Sequence, residues 1–117
     1  MKYLLLVCWD RERMDAQTEP DPADLPAEEE GFPWVDDLRD RGIWQIGDQL
    51  APPHRARTVR VRGGRTLVTD GPFAETKEAV GGFDLLECES FEQAVEIAAS
   101  HPVAQNGTIE IRPLWGN

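Results

Sequence analysis

The sequence predicts a single α+β domain in which two helices cover one face of an antiparallel sheet. Three observations carry this. Periodic segments follow one another as strand, helix, strand, hairpin, strand, helix, strand. The hairpin is explicit: Thr58-Val59-Arg60-Val61-Arg62, then Gly63-Gly64, then Arg65-Thr66-Leu67-Val68-Thr69. The first strand is apolar on both of its faces, which belongs to a sheet covered on both sides. At 117 residues the chain has the length of one domain.

Each element has a local reason. Residues 3–9 read as strand one, with Tyr3, Leu5, Val7 and Trp9 on one face and Leu4, Leu6 and Cys8 on the other. The stretch Asp10 to Glu30 is acidic and carries Pro20, Pro22 and Pro26, so most of it reads as an exposed loop. A helix then runs to about Arg41 on a stripe of Trp34, Val35 and Leu38. Pro33 either opens it or kinks a longer helix that starts near Ala27. Gly42 closes it, with Arg39 and Arg41 in the last turn.

Ile43 to Leu50 is the second strand, and Ala51-Pro52-Pro53-His54 a loop. A two-residue glycine turn pairs Val61 with Thr66 and Val59 with Val68 on one face. Arg60, Arg62 and Arg65 fall on the other. Asp70-Gly71-Pro72 is turn chemistry, Ala74 to Ala79 reads as a short polar helical turn, and Phe83 to Cys88 as a strand after Gly81-Gly82. Ser90 followed by Gln93 is a capping-box pattern. The helix it opens presents Phe91, Ala94, Val95, Ala98 and Ala99. His101-Pro102 ends it, and Thr108 to Leu114 is the last strand.

Two helices cover only one face of such a sheet. The apolar second face of strand one, joined by Trp44, Leu67 and Leu85, predicts a homodimer that buries it against another copy.

The formal net charge of −10 excludes the function classes that need a basic surface: nucleic-acid binding and docking on an anionic membrane. Cys8 and Cys88 lie inside apolar runs and read as buried free thiols. No CxxC or Cys/His cluster suggests a metal site. The opening apolar run stops at Trp9-Asp10 without a cleavage pattern, so it reads as a strand rather than a signal peptide. The expected location is cytoplasmic. There is no phosphate-binding glycine loop and no nucleophile elbow, and no cofactor is expected.

Residues 69–78, Thr-Asp-Gly-Pro-Phe-Ala-Glu-Thr-Lys-Glu, stand between the hairpin and Gly81-Gly82-Phe83. With the opening Met1-Lys2-Tyr3-Leu4-Leu5-Leu6-Val7 and the closing Ile109-Glu110-Ile111-Arg112-Pro113-Leu114-Trp115, this segment resembles the signature of the DGPF, or YCII-related, family. The resemblance covers nearly the whole chain and weakens between Asp10 and Gly42. It implies a ferredoxin-like fold paired into a dimeric α/β barrel. It also implies, for some members, association with sigma factors of the extracytoplasmic-function type, and it extends distantly to small isomerases and dehalogenating enzymes. A neighbouring branch is thought to use a histidine–aspartate pair with the histidine near the first helix. Asp10 to Gly42 contains no histidine here, so that pair does not carry over.

Asp70 is the leading candidate for acid–base chemistry. Thr66, Val68 and Asp70 share the apolar face of the hairpin, where a carboxylate would be partly desolvated. The competing role is a cap on the turn before Gly71-Pro72. Glu75 and Lys77 would line a pocket mouth beside Asp70, or stand solvated. His101 suits a helix C-terminus and His54 an exposed loop; either is a weaker candidate for proton transfer. Trp9, Trp44, Phe73 and Phe83 are candidates for an aromatic pocket, with packing as the alternative, and Arg112 for an anion anchor.

Two functions follow. One is a cofactor-independent enzyme of isomerase or lyase type. It would act on a small apolar or aromatic compound in a cleft between sheet and partner. The alternative is a non-catalytic ligand-binding or regulatory module, associated with a sigma-factor type transcription system.

Overall fold

The structure, a computed structural model, describes residues 1–16 and 32–116. The elements are β1 (Lys2–Asp10), α1 (Arg11–Asp15), α2 (Pro33–Asp40), β2 (Trp44–Gln49), β3 (Arg57–Arg62), β4 (Arg65–Asp70), β5 (Glu78–Glu87), α3 (Phe91–Ala99) and β6 (Thr108–Pro113). Single 3₁₀ turns at Pro53–Arg55 and Pro102–Gln105 precede β3 and β6. β2, β5, β1 and β6 form a four-stranded sheet in that order, each strand antiparallel to its neighbours. This is the ferredoxin-like α+β arrangement the sequence predicts. The β3–β4 hairpin forms a separate two-stranded sheet inserted between β2 and β5.

Strand alternation sorts the core. Tyr3, Leu5 and Leu86 on the sheet pack against Leu38 of α2 and Ala94, Ile97 and Ala98 of α3. Leu5 and Leu86 are completely buried. Burying such side chains contributes about 1.5–3 kcal/mol each. The opposite face carries Leu4 against Leu85 and Leu6 against Phe83, all half-buried.

Local signals place the helix ends. Pro33 is the first residue of α2; the alternative start near Ala27 lies outside the described residues. The Ser90 hydroxyl accepts the Gln93 N–H at 3.1 Å and caps α3. Gly63 and Gly64 both have positive φ, 56° and 77°, which a tight hairpin turn of opposite hand requires. The Val59–Val68 and Val61–Thr66 pairs form as expected.

Four expectations need correction. Ala74 to Ala79 forms no helix; β5 already begins at Glu78 and is ten residues long. Gly81-Gly82 does not precede that strand but lies within it, at a bulge opposite Val7 and Cys8. The buried stripe of α3 is Ala94, Ile97 and Ala98, whereas Phe91 and Val95 are 41% and 49% exposed. Arg11–Asp15, at the start of the segment read as a loop, forms one short turn of helix with Met14 buried. The remainder of the acidic segment read as a loop, residues 17–31, lies outside the described residues.

Candidate functional site

Asp84 stands in the middle of β5, paired with Leu5 on one side and Gly47 on the other. Its register turns it toward the helices, together with Leu86. It is the one buried charged side chain among the described residues, 7% exposed. Gly47 makes room for it. A Cβ at that position would lie 2.5 Å from both Asp84 Oδ1 and the Phe83 carbonyl oxygen.

Two side chains from other elements meet this carboxylate. Trp44 Nε1 donates to Asp84 Oδ1 at 2.8 Å. His101 Nε2 lies 3.8 Å from Asp84 Oδ2. That separation is too long for a direct hydrogen bond. It leaves the second carboxylate oxygen facing an imidazole with no bond closed between them. His101 is held from behind. Its Nδ1 accepts the backbone N–H of Val103 at 3.0 Å, so that His101 caps the start of the 3₁₀ turn Pro102–Gln105. The hydrogen-bond network therefore assigns the neutral proton to Nε2, the nitrogen nearest Asp84.

Burial sets the protonation of the pair. Desolvation raises the Asp84 pKa, against the opposing pull of the Trp44 hydrogen bond and the His101 charge. Burial lowers the pKa of His101, and the Asp84 charge opposes it. Each neutral form is favoured, and the usual gap between carboxyl and imidazole narrows.

The pair opens into a cleft of about 620 Å³ between sheet and helices. Trp9, Trp34 and Trp44 supply its aromatic walls and Arg39 and Asp36 stand at α2. Trp34 packs edge-on against the His101 ring at 4.7 Å, and its Nε1 donates to Ser100 Oγ at 2.9 Å. The Arg39 guanidinium covers the Trp44 ring at 4.8 Å. At the far end the Trp9 indole passes over Gly81, where a Cβ would lie 2.4 Å from Trp9 Nε1. Among the described residues no three His, Cys, Asp or Glu side chains are grouped to hold a metal ion.

The model of the YCII-related domain matches residues 1–116, all but the last residue of the chain. The chain belongs to the YCII-related family. An uncharacterized protein of Rhizobium meliloti (strain 1021) is 44% identical to it over 68 residues, 56% of this chain and 55% of that protein. The matched stretch is thus about half of the relative's length. Family membership brings no assigned reaction, so the chemistry rests on the site itself.

Within this YCII-related domain no residue of the signature segment lines the cleft. Asp70 ends β4 with its side chain 94% exposed, 3.9 Å from Arg57 Nε. The burial expected from its place in the hairpin row is not found: the alternation is correct, but no described residue covers that face. Gly71 ties the arm down, its N–H reaching the Ala56 carbonyl at 2.7 Å and its carbonyl accepting the Thr58 hydroxyl at 2.8 Å. Phe73, Glu75 and Lys77 are exposed in the connection to β5 and do not line this cleft.

The remaining candidates divide. His54 hydrogen-bonds Asp15 through both its backbone N–H, at 3.0 Å, and Nδ1, at 3.1 Å. It joins α1 to the 3₁₀ turn and stands outside the cleft. Arg112 is on the helix-free face, 3.5 Å from Glu110. Phe83 pairs with Leu6 on that face and reaches the edge of the cleft. Trp9, Trp44 and His101 are brought together. Asp84 and Trp34 were missed as site residues. The signal for Asp84 was present: a lone carboxylate inside the apolar run Gly82-Phe83-Asp84-Leu85-Leu86, sharing the core-facing parity of Leu86.

Proposed function

We propose that this protein is a cofactor-independent acid–base enzyme of isomerase or lyase type, acting on a small ring compound held in the tryptophan-lined cleft. The observation that carries the reading is the Asp84–His101 pair, a buried carboxyl and a half-buried imidazole with shifted protonation, unbonded to each other and open to the cleft.

The division of labour follows from the hydrogen bonds. Trp44 occupies Oδ1 and fixes the carboxylate plane. Oδ2 is the atom available to take a proton from carbon. A carboxylate with a raised pKa is the stronger base for that step. His101 has Nδ1 occupied by Val103, so its free function is the Nε2–H. That donor suits a carbonyl oxygen as it gains charge on enolisation. Asp84 would take the proton next to a carbonyl while His101 bonds the enolate oxygen. Returning the proton to another carbon completes an isomerisation. Losing a leaving group from the adjacent carbon completes an elimination. The indoles orient a flat ring and exclude water.

The test is deuterium incorporation from D₂O into a panel of small enolisable ring ketones and lactones, followed by proton NMR. Exchange is expected with wild type for at least one compound, and a loss of about 10²–10⁴-fold in Asp84→Asn, the range for removing a general base. Binding with no exchange for any panel member would favour the non-catalytic ligand-binding alternative.

A further inference from the structure

Gly47, Gly81 and Gly82 all line the cleft, and two of them are explained by the protein's own side chains. Gly47 makes way for the Asp84 carboxylate and Gly81 for the Trp9 indole, which lie 2.5 and 2.4 Å from where a Cβ would stand. Gly82 has no such occupant. A Cβ there would meet the Asp48 carbonyl oxygen at 3.2 Å, and the Val7 Cβ only at 3.8 Å. Its backbone does not ask for glycine either, because its φ is not positive. Gly82 lies two residues before Asp84 on β5, on the same helix-facing side of the strand. The place over it is left for a flat ligand, with Asp84 at one end and Trp9 toward the other.

Gln49 stands beside that place. It pairs with Gly82, so it shares the helix-facing side, and it lines the cleft. Its backbone N–H reaches Asp48 Oδ1 at 2.8 Å, while its side-chain amide meets no described residue. It follows Gly47, the partner of Asp84, by two residues, which is about 7 Å along the strand. Among the described lining residues the one guanidinium, Arg39, is already engaged: it lies on the Trp44 ring at 4.8 Å and 3.6 Å from Asp36. The His101 Nε2–H and the Gln49 amide are neutral donors, suited to uncharged oxygen.

We infer that the substrate is a neutral six-membered ring oxygenated at opposite ends, lying flat over Gly82, with a carbonyl oxygen at the His101 Nε2–H and the opposite oxygen on the Gln49 amide. This rests on the acid–base reading for the atoms that react, and it names the ring they meet. Gly82 sets the thickness the cleft accepts and Gln49 the substituent it prefers.

The test is the affinity of the full chain for three probes, read from indole N–H shifts in nitrogen-edited NMR spectra. They are cyclohexanone, the same ring with a hydroxyl opposite the carbonyl, and the same ring with a carboxylate there. The hydroxyl compound is expected to bind about two- to tenfold more tightly than cyclohexanone, the range of a neutral hydrogen bond. In Gln49→Leu, at an exposed position, the two are expected to bind alike. Gly82→Ala is expected to weaken both, with circular dichroism confirming that each variant folds. Equal binding of the two by wild type, or none, overturns the proposal. So does a preference that Gln49→Leu leaves unchanged, and so does tighter binding of the carboxylate, which would give the recognising role to Arg39. Binding is read apart from deuterium exchange. A preference without exchange upholds the place over Gly82 and ends the acid–base reading, whereas exchange without a preference does the reverse.

Discussion

His101 turns a protonated Nε2 toward Asp84 because its other nitrogen is already occupied by the Val103 N–H. Asp84 in turn keeps one oxygen open because Trp44 occupies the other. Each member of the pair is thus held by a group outside it, and neither is consumed by the other. That arrangement leaves a donor and an acceptor facing a common gap.

Trp44→Phe keeps the ring and removes the N–H. Because that hydrogen bond holds the Asp84 pKa down against burial, its loss raises the pKa further. The acidic limb of a pH–rate profile moves to higher pH, and a carbon-detected titration of the Asp84 carboxyl shows the same shift. Removing a hydrogen bond to a charged group costs about 1.5–3 kcal/mol, read by urea melts at neutral pH.

Stability against pH separates the two groups. The folded pKa of His101 is below the ordinary imidazole value of 6.5, so the unfolded chain takes up this proton first. The stability it carries is present above 6.5 and is lost as pH falls through that value and on to the lower folded one. Asp84 has the opposite sign. Its folded pKa exceeds 3.8, so stability rises as pH falls through the raised value. His101→Asn keeps an acceptor for the Val103 N–H and removes the titration. Denaturant melts between pH 7.5 and pH 5.5 are expected to show a smaller acid-side loss in this variant.

Gly47→Ala tests how the carboxylate is seated. The new methyl would meet Asp84 Oδ1 and the Phe83 carbonyl oxygen, both at 2.5 Å. Backbone on one side cannot move away as a side chain could. The expected cost is about 1–3 kcal/mol, with a displaced Asp84. Activity falls further than stability accounts for, and a crystal structure of the variant shows a lengthened Trp44–Asp84 bond.

Leu5→Ala and Leu4→Ala differ by one residue and by face. Leu5 is fully buried between sheet and helices, and its truncation is expected to cost about 2–5 kcal/mol. Leu4 is half-buried in the single chain. Its truncation costs little in the monomer and is expected to weaken association more than folding. Urea melts at two protein concentrations distinguish the two effects.

Local rules made much of the fold legible. The hairpin turn at Gly63-Gly64, the Ser90 cap and the two-faced alternation of β1 depend on neighbours in sequence, and each formed as read. The misreadings were also local: glycines at Gly81-Gly82 were taken as punctuation, when a bulge lets them sit inside a strand. Faces of α3 were misassigned because alanine, valine and isoleucine are interchangeable in a periodicity count, while only packing against Leu38 and Tyr3 selects Ala94, Ile97 and Ala98.

By itself the sequence determined the order of elements, the antiparallel α+β class, the family signature and the acidic net charge of −10. Only the tertiary structure decided where the ionisable groups meet. Asp70 has the alternation of a buried residue, but alternation says which side a residue takes and not what covers that side. Asp84 and His101 lie on different elements, β5 and the 3₁₀ turn after α3. Sheet register, the gap at Gly47 and the docking of α3 bring them within 3.8 Å, and none of these is encoded in local spacing.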